Sequence, residues 1–380
     1  MAERINLKRI LTALGLLAFL VTGCVPPEKP PRARLIRVAV LQATKSITLS
    51  SKSVLTVKDS RSGKVLSRAR NGKPVVVRLS PKGMNVAGRT YGTSDLGATS
   101  TTTRISLNGK TYPGGLRILR RENGLLAINF VDLDTYLKAV VPSEMLPTWP
   151  QEALKAQAVV SRSFVLYHVL RNKGKDYDIT SKKQVYNPDK RDPRSDRAVD
   201  ATRDIVLFYK GNLLLPFFST CCGGFTEYAS NVWETDEQFP RPVECPFCRD
   251  APDYHWRARM ALHQFRRKLQ SAGIASARSI AVHRRSTSGR RITALKVQCE
   301  DRDRIIKINR FRLLMGPNVI RSGLFDSEVQ NGYIVFIGRG WGHAVGMCQR
   351  GAKVLAERGK SFKSVLRYYF PGVRTRKMRW

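Results

Sequence analysis

Between Leu35 and Phe130 apolar and polar residues alternate in short runs: "LIRVAVL", "SVLTVKD", "KPVVVRL", "TRISL", "LRILRR" and "GLLAINFV", with Gly, Asn, Ser and Lys between them. A period of two marks half-buried strands, so this stretch is expected to form an antiparallel β region of about six to eight strands. The period then changes. From Pro150, the residues Ala153, Ala156, Val160, Phe164 and Tyr167 form an apolar stripe, with Leu154, Ala158 and Val165 beside it. Pro150 suits a first helical turn and Glu152 the positive end of the helix dipole, which predicts a buried helix. Lys155 and Arg162 are seven residues apart and project from one face of it. Beyond this helix, residues 176–203 read as loop-rich, "DIVLFYKGNLLLPFFSTCC" as a hairpin, and Trp256–Arg278 as a basic helix. Two strands follow around Ser288-Gly289, then a short helix "RFRLLMG", a strand "GYIVFIGRG", and helices "GAKVLAERG" and "SFKSVLRYYFPG". The fold class is α+β, with strands outnumbering helices.

The first residues follow a different rule. Arg4, Lys8 and Arg9 precede an apolar run, Ile10–Val21, that is too short to span a bilayer comfortably and ends in "LVTGC". This resembles a bacterial lipobox. It predicts a signal peptide over 1–23, lipidation of Cys24, and a Pro-rich tether over 24–34. A lipid chain and a basic surface together make a stable anchor, so the chain is expected in the bacterial cell envelope as a membrane-anchored lipoprotein.

Charge changes the picture further. The chain has 380 residues, with 67 Lys+Arg against 29 Asp+Glu, a formal net charge of +38. That balance predicts attraction to a polyanion. The charge is uneven: between Asp176 and Asp253 there are 14 acids and 10 bases. An export signal and the lack of any nucleic-acid motif argue against nucleic acid as partner and favour anionic wall polymers or lipids.

Two stretches carry candidate chemistry. In "VVPSEMLPTW" a single carboxylate, Glu144, stands between Pro142 and Pro147. Desolvation there would raise its pKa toward that of a general acid; a solvated or capping glutamate in a turn leading into a helix fits the spacing as well. In "GRGWGHAVGMCQRGA" glycines flank His343, which allows close backbone approach to a ligand or simply a tight turn. It is neither a P-loop nor a Rossmann turn. Of the six cysteines beyond Cys24, Cys299 and Cys348 read as small buried residues. Cys221, Cys222, Cys245 and Cys248 cluster in "TCCGG" and "CPFC". They are a candidate structural zinc set, with His255 an alternative fourth ligand because adjacent cysteines do not easily reach one metal; one or two disulfides are the competing reading outside the cytoplasm.

"YLKAVVPSEMLPTWPQEALKAQAVVSRSF" and "GRGWGHAVGMCQRGAKVLAERGKSFKSVLRYYFPG" resemble the signature segments of the stage II sporulation protein D (SpoIID) family. That family contains peptidoglycan lytic transglycosylases and amidase enhancers. "YPGGLRI", "INFVDLDTYL", "KQVYNP", "FFSTCCGGFTEYASNVW" and "RSTSGRRITALKV" fall in the expected order. The resemblance implies a SpoIID-like fold, mainly antiparallel strands with a buried catalytic helix and an inserted smaller subdomain. It divides the chain into an N-terminal β-rich region (35–130), a catalytic core (131–256), a smaller basic α/β subdomain (257–330) and a C-terminal core segment (331–380).

It further implies that Glu144 is the catalytic acid/base, that Lys155 and Arg162 line a glycan groove, and that Gln184, Tyr186, His343 and Gln349 surround the site. No cofactor is required for catalysis on this reading. The implied partners are peptidoglycan glycan strands and a cell-wall amidase, the latter for a non-catalytic binding protein that enhances it. Two departures stand out. The family's loop reads Gly-His-Gly-Val-Gly-Met-Ser-Gln, where this chain has Ala344 for the second Gly and Cys348 for Ser. Some members bind zinc through Cys and His just before Gln-Val-Tyr, where this chain has "DITSKKQVY".

Overall fold

In the computed structural model, which describes residues 35–378 other than 234, 236, 237 and 289, the alternating region is built as two antiparallel sheets. The expected signal peptide, the lipidation expected at Cys24 and the expected tether lie outside the described residues. The first sheet has seven strands, in the order Ile179–Thr180, Leu35–Thr44, Gly124–Asp132, Gly115–Arg121, Asp95–Ser100, Leu55–Asp59 and Val65–Ala69. Only the edge strand Ile179–Thr180 runs parallel to its neighbour. The second has six strands, among them Ser46–Ser50, Val75–Ser80 and Arg104–Leu107. Alternation decides which residues meet: Val57, Leu96 and Ile118 from one sheet share a core with Ile47, Val77 and Ile105 from the other. Among the described residues, twelve strands precede Leu133. The additional ones are short hairpin pieces, such as Gly83–Val86 and Arg89–Tyr91, with too few residues to display a period.

Two helices carry the chain into the same core. Helix α1, Leu133–Glu144, starts at Asp132, whose side chain accepts hydrogen bonds from the N–H groups of Asp134 and Thr135. Helix α2, Gln151–Arg171, follows Pro150 and is buried from Ala153 to Leu166 apart from Lys155. Helix α3, Pro193–Ala201, and the strands Ile205–Tyr209 and Arg374–Lys377 pack nearby, with the Leu207 N–H bonded to Ser163 Oγ on α2.

A second core lies in the inserted part. The strands His255–Ala261, Tyr333–Arg339 and Phe325–Gln330 form one sheet, and Ala277–Arg285, Ile292–Cys299 and Arg304–Lys307 another. Helices α4, Leu262–Ser271, and α5, Ile308–Met315, complete it around Phe265, Phe311 and Phe336. The first and last strands of this unit pair directly, His255 opposite Arg339, so it closes at Arg339 and a boundary after residue 330 cuts through it. The basic helix expected over Trp256–Arg278 is in fact a strand followed by α4. Trp256 and Met260 are buried between exposed arginines, a period of two that the arginine content obscures. Helices α6, Gln349–Glu357, and α7, Phe362–Tyr369, end the fold against α2.

Candidate active site

Glu144 is the last residue of α1, rather than part of a turn that opens the next helix; Met145 has already left the helix at φ −128° and ψ 149°. A carboxylate at this end of a helix faces the partial negative charge of unpaired carbonyls, so its donors must come from elsewhere. The Val185 N–H donates to Glu144 Oε1 at 2.6 Å. Gln349 Nε2 donates to the Glu144 carbonyl oxygen at 3.1 Å and to Gln157 Oε1 at 3.2 Å. The carboxylate and the backbone of one residue are thus held by two segments far away in sequence. Burial pushes the Glu144 carboxyl above the ordinary carboxylate range, and the Val185 hydrogen bond and the charge of Lys190 pull it partly back.

Glu144 opens on a cavity of about 470 Å³ that it shares with His343, His168 and Lys183. Aromatic rings make one wall. Phe217 and Trp233 stack with centroids 4.2 Å apart, and the His343 ring stands edge-on to Trp233 at 4.8 Å. Burial, followed by the charges of Arg312 and Arg291, drives the His343 pKa down to about 3. Its Nδ1 accepts from the Val345 N–H at 3.0 Å. Burial and the neighbouring Lys183 bring His168 down to about 4. Both imidazoles are therefore neutral near pH 7. Among the described residues, Glu144 is the one carboxyl lining this cavity.

Gln184 and Tyr186 stand behind the cavity. Gln184 is buried, accepts from Tyr136 Oη at 3.2 Å and donates to the Ser161 carbonyl at 3.4 Å. Tyr186 Oη donates to Asn129 Oδ1 at 2.8 Å. Together they fasten the loop that aims the intervening Val185 N–H at Glu144.

Two expected groove residues are placed elsewhere. Arg162 is 1% exposed and donates to the carbonyls of Val199 and Ile205 at 3.1 and 3.3 Å, with Asp134 at 3.6 Å. It ties α2 to α3 and α1, because a guanidinium on a fully buried helix face must be satisfied by protein groups. Lys155 pairs with Glu152 at 2.6 Å, whose other oxygen accepts from the Phe362 N–H at the start of α7. A seven-residue spacing puts both cations on one face, but there Arg162 is packed in protein and the half-buried Lys155 is held by Glu152. Conversely, Lys183, His168, Phe217 and Trp233 line the cavity without having been singled out, although each lies within or beside a recognisable segment.

The loop after Arg339 is shaped by positive φ at Gly342, Ala344 and Gly346. A Cβ at Gly346 would meet the Phe217 carbonyl oxygen at 2.2 Å, so glycine is required where Met347–Cys348 runs parallel to Phe218–Ser219. Ala344 adopts φ +64° despite its side chain.

Cys348 immediately follows this loop and is not merely a small core residue. Its sulfur lies with those of Cys222, Cys245 and Cys248, all within 4.8 Å of one another. Cys221 is buried alongside but falls outside that group, its backbone bridged to Trp341. His255 is exposed on a strand edge. The Cys221 thiol interacts with those of Cys248 and Cys348, but the four sulfurs that all lie within 4.8 Å of one another include Cys348 in its place.

A family model described as Stage II sporulation protein matches residues 121–209, and one described as Domain of unknown function (DUF8618) matches residues 248–346. An uncharacterized protein of Brachyspira hyodysenteriae is 35% identical over 276 residues, covering 71% of this chain and 73% of that protein. Stage II sporulation protein D of Bacillus amyloliquefaciens is 28% identical over 284 residues, 70% of this chain and 79% of that protein. The amidase enhancer of Bacillus subtilis is 26% identical over 324 residues, 72% of this chain; the chain spans 45% of that longer protein.

Proposed function

Because this chain belongs to the stage II sporulation protein D family, we propose that it is a peptidoglycan lytic transglycosylase in which Glu144 is the single acid/base. The observation that carries this reading is a carboxyl with raised proton affinity opening on an aromatic-walled cavity, where it is the one carboxyl among the described lining residues. The Val185 N–H occupies Oε1, so Oε2 is the oxygen that delivers the proton. Protonation of the glycosidic oxygen between MurNAc and GlcNAc breaks the C1–O bond. The Glu144 carboxylate then takes the proton of the C6 hydroxyl as its oxygen closes on C1, leaving 1,6-anhydro-MurNAc and a restored acid. Intramolecular attack makes a second carboxylate unnecessary, in contrast to the paired-acid glycosidases. The ring faces of Phe217 and Trp233 suit the C–H face of a pyranose. Export, with a lipid on Cys24 holding the enzyme to a membrane, belongs to the same proposal.

The test is digestion of purified peptidoglycan and of glycan strands stripped of peptides, with products read by mass spectrometry. Saturated 1,6-anhydro-muramyl products that disappear with Glu144→Gln are expected. Undiminished products with that variant would overturn the mechanism. Wild-type protein that binds sacculi, forms none of these products and accelerates a separate amidase would instead establish the enhancer reading that the name of one relative suggests.

A further inference from the structure

We propose that Cys222, Cys245, Cys248 and Cys348 bind one structural zinc ion that clamps the loop behind the catalytic acid. The four thiols arrive from three separate segments: Cys222 follows the strand Phe218–Ser219, Cys245 and Cys248 bracket a single 3₁₀ turn, and Cys348 ends the strand Met347–Cys348 where α6 begins. All four are buried, and Cys222 and Cys248 have their sulfurs 3.6 Å apart. A tetrahedral thiolate site with Zn–S bonds of about 2.3 Å has S···S edges of about 3.8 Å, close to this spacing. Two disulfides would need two close pairs; they would not need all four sulfurs gathered around one point.

The surroundings fit ionised sulfur. The N–H groups of Cys222 and Gly351 donate to Cys348 Sγ at 3.3 and 3.4 Å, and Tyr369 Oη lies 3.1 Å from Cys245 Sγ. Such donors orient thiolate ligands and spread their charge. Four thiolates around Zn²⁺ leave two net negative charges. Beside them the buried guanidinium of Arg291 donates to the carbonyls of Cys222 and Phe225, and its Nη1 has no hydrogen-bond partner among the described residues. Gly351 completes the fit, since a Cβ there would come within 2.7 Å of Cys245 Sγ and overlap Tyr369 Oη.

This set differs from the zinc ligands that the family resemblance places before Gln-Val-Tyr. It uses Cys348, which stands where the family's loop carries serine. Cys348 is followed directly by Gln349, whose side chain holds the Glu144 carbonyl. The metal therefore fixes a positioning residue, Gln349, and through it the acid; that last step rests on the proposed function.

The full-length chain is analysed for metal by plasma mass spectrometry, with thiols counted before and after a chelator. About one zinc per chain is expected. Cobalt(II) substitution should give tetrahedral d–d bands together with thiolate-to-metal charge transfer. Cys348→Ser and Cys248→Ser should lose at least ten-fold of the bound zinc, whereas Cys221→Ser keeps it. Serine already occupies the equivalent place in the family's loop, so Cys348→Ser is compatible with the fold; the cobalt spectrum of the wild type tests the donor set without any variant. Disulfides within the group in unreduced protein, zinc retained in Cys348→Ser, or zinc lost only in Cys221→Ser would each overturn the site. Stoichiometry and spectrum do not depend on glycan cleavage. A metal-loaded chain without 1,6-anhydro products would refute the enzymatic reading and leave the zinc site standing.

Discussion

At Glu144 the burial that raises the carboxyl's proton affinity also costs stability whenever the group is ionised. Its folded pKa lies above its unfolded one, so the native state binds the extra proton in the interval between them. Stability is therefore highest below the unfolded value, falls as pH rises through the folded value, and stays lowered above it. Glu144→Gln keeps an acceptor for the Val185 N–H and removes the charge. We expect the variant to melt higher than wild type at pH 7, with the advantage vanishing as the pH approaches about 4, and to lose about 10²–10⁴-fold in product formation. A lower melting temperature at pH 7 would show that the pocket does not favour the neutral acid. In the wild type, the rate should fall on the alkaline side as this one group ionises, since both cavity histidines titrate far below neutrality.

Arg162 poses the opposite case, a charge held by protein groups through both terminal nitrogens, with only its buried Nε left without a partner among the described residues. Arg162→Met would take a donor from the carbonyls of Val199 and Ile205 and leave Asp134 with one cation fewer. A loss of about 2–5 kcal/mol in a denaturant melt is expected, with KM for glycan unchanged in the protein that remains folded. A raised KM at undiminished stability would return this arginine to the groove.

Among elements, the loop after Arg339 makes the sharpest demand on sequence. An interior alanine replaced by glycine ordinarily loses stability, because the unfolded chain gains freedom. At Ala344 the φ of +64° reverses the balance: the left-handed region costs an L-residue about 1–2 kcal/mol, which glycine does not incur. Ala344→Gly is expected to be neutral or stabilising by up to about 1 kcal/mol. A loss of that size in a chemical melt would mean that the loop carries no strain at this position. The same loop shows why some elements could be read from the chain and others could not. Helix α2 announces itself because its apolar positions recur over 21 residues, and the strand Tyr333–Arg339 because it is a run of apolar residues. Helix α1 hides because "VDLDTYLKAVVPSE" continues the strand before it without a break in hydrophobicity, and because Pro142 in its last turn reads as a terminator. Glu144 could be singled out as a lone acid; its place at a helix end, held by Val185 and Gln349, could not. Those two contacts join residues 41 and 205 positions away, and no local pattern encodes them. The cysteines follow suit: spacing identifies Cys245 and Cys248, whereas Cys348 joins them only through the parallel pairing of two two-residue strands.

Over the whole molecule, charge is distributed by layer. The inserted unit from His255 to Arg339 holds 18 Lys and Arg against 5 Asp and Glu, while the stretch from Asp176 to Asp253, which contributes Lys183 and the aromatic wall of the cavity, is slightly acidic. Attraction to an anionic wall or membrane surface is thus concentrated in the inserted unit, two of whose arginines, Arg291 and Arg312, also act on His343 in the cavity. If retention on the wall is electrostatic, it must weaken as the Debye length shrinks from about 10 Å at 0.1 M salt to about 3 Å at 1 M. Arg257, Arg266 and Arg267 are exposed on this unit, and replacing all three with Gln should change stability by no more than about 0.5 kcal/mol each. We expect the triple variant to show several-fold weaker co-sedimentation with sacculi at low salt and a shallower salt dependence, with turnover of soluble, peptide-free glycan unaltered. Equal loss of binding and turnover would mean that the basic unit belongs to the catalytic groove itself. Retention indifferent to salt would shift the weight of attachment to specific sugar contacts in the cavity.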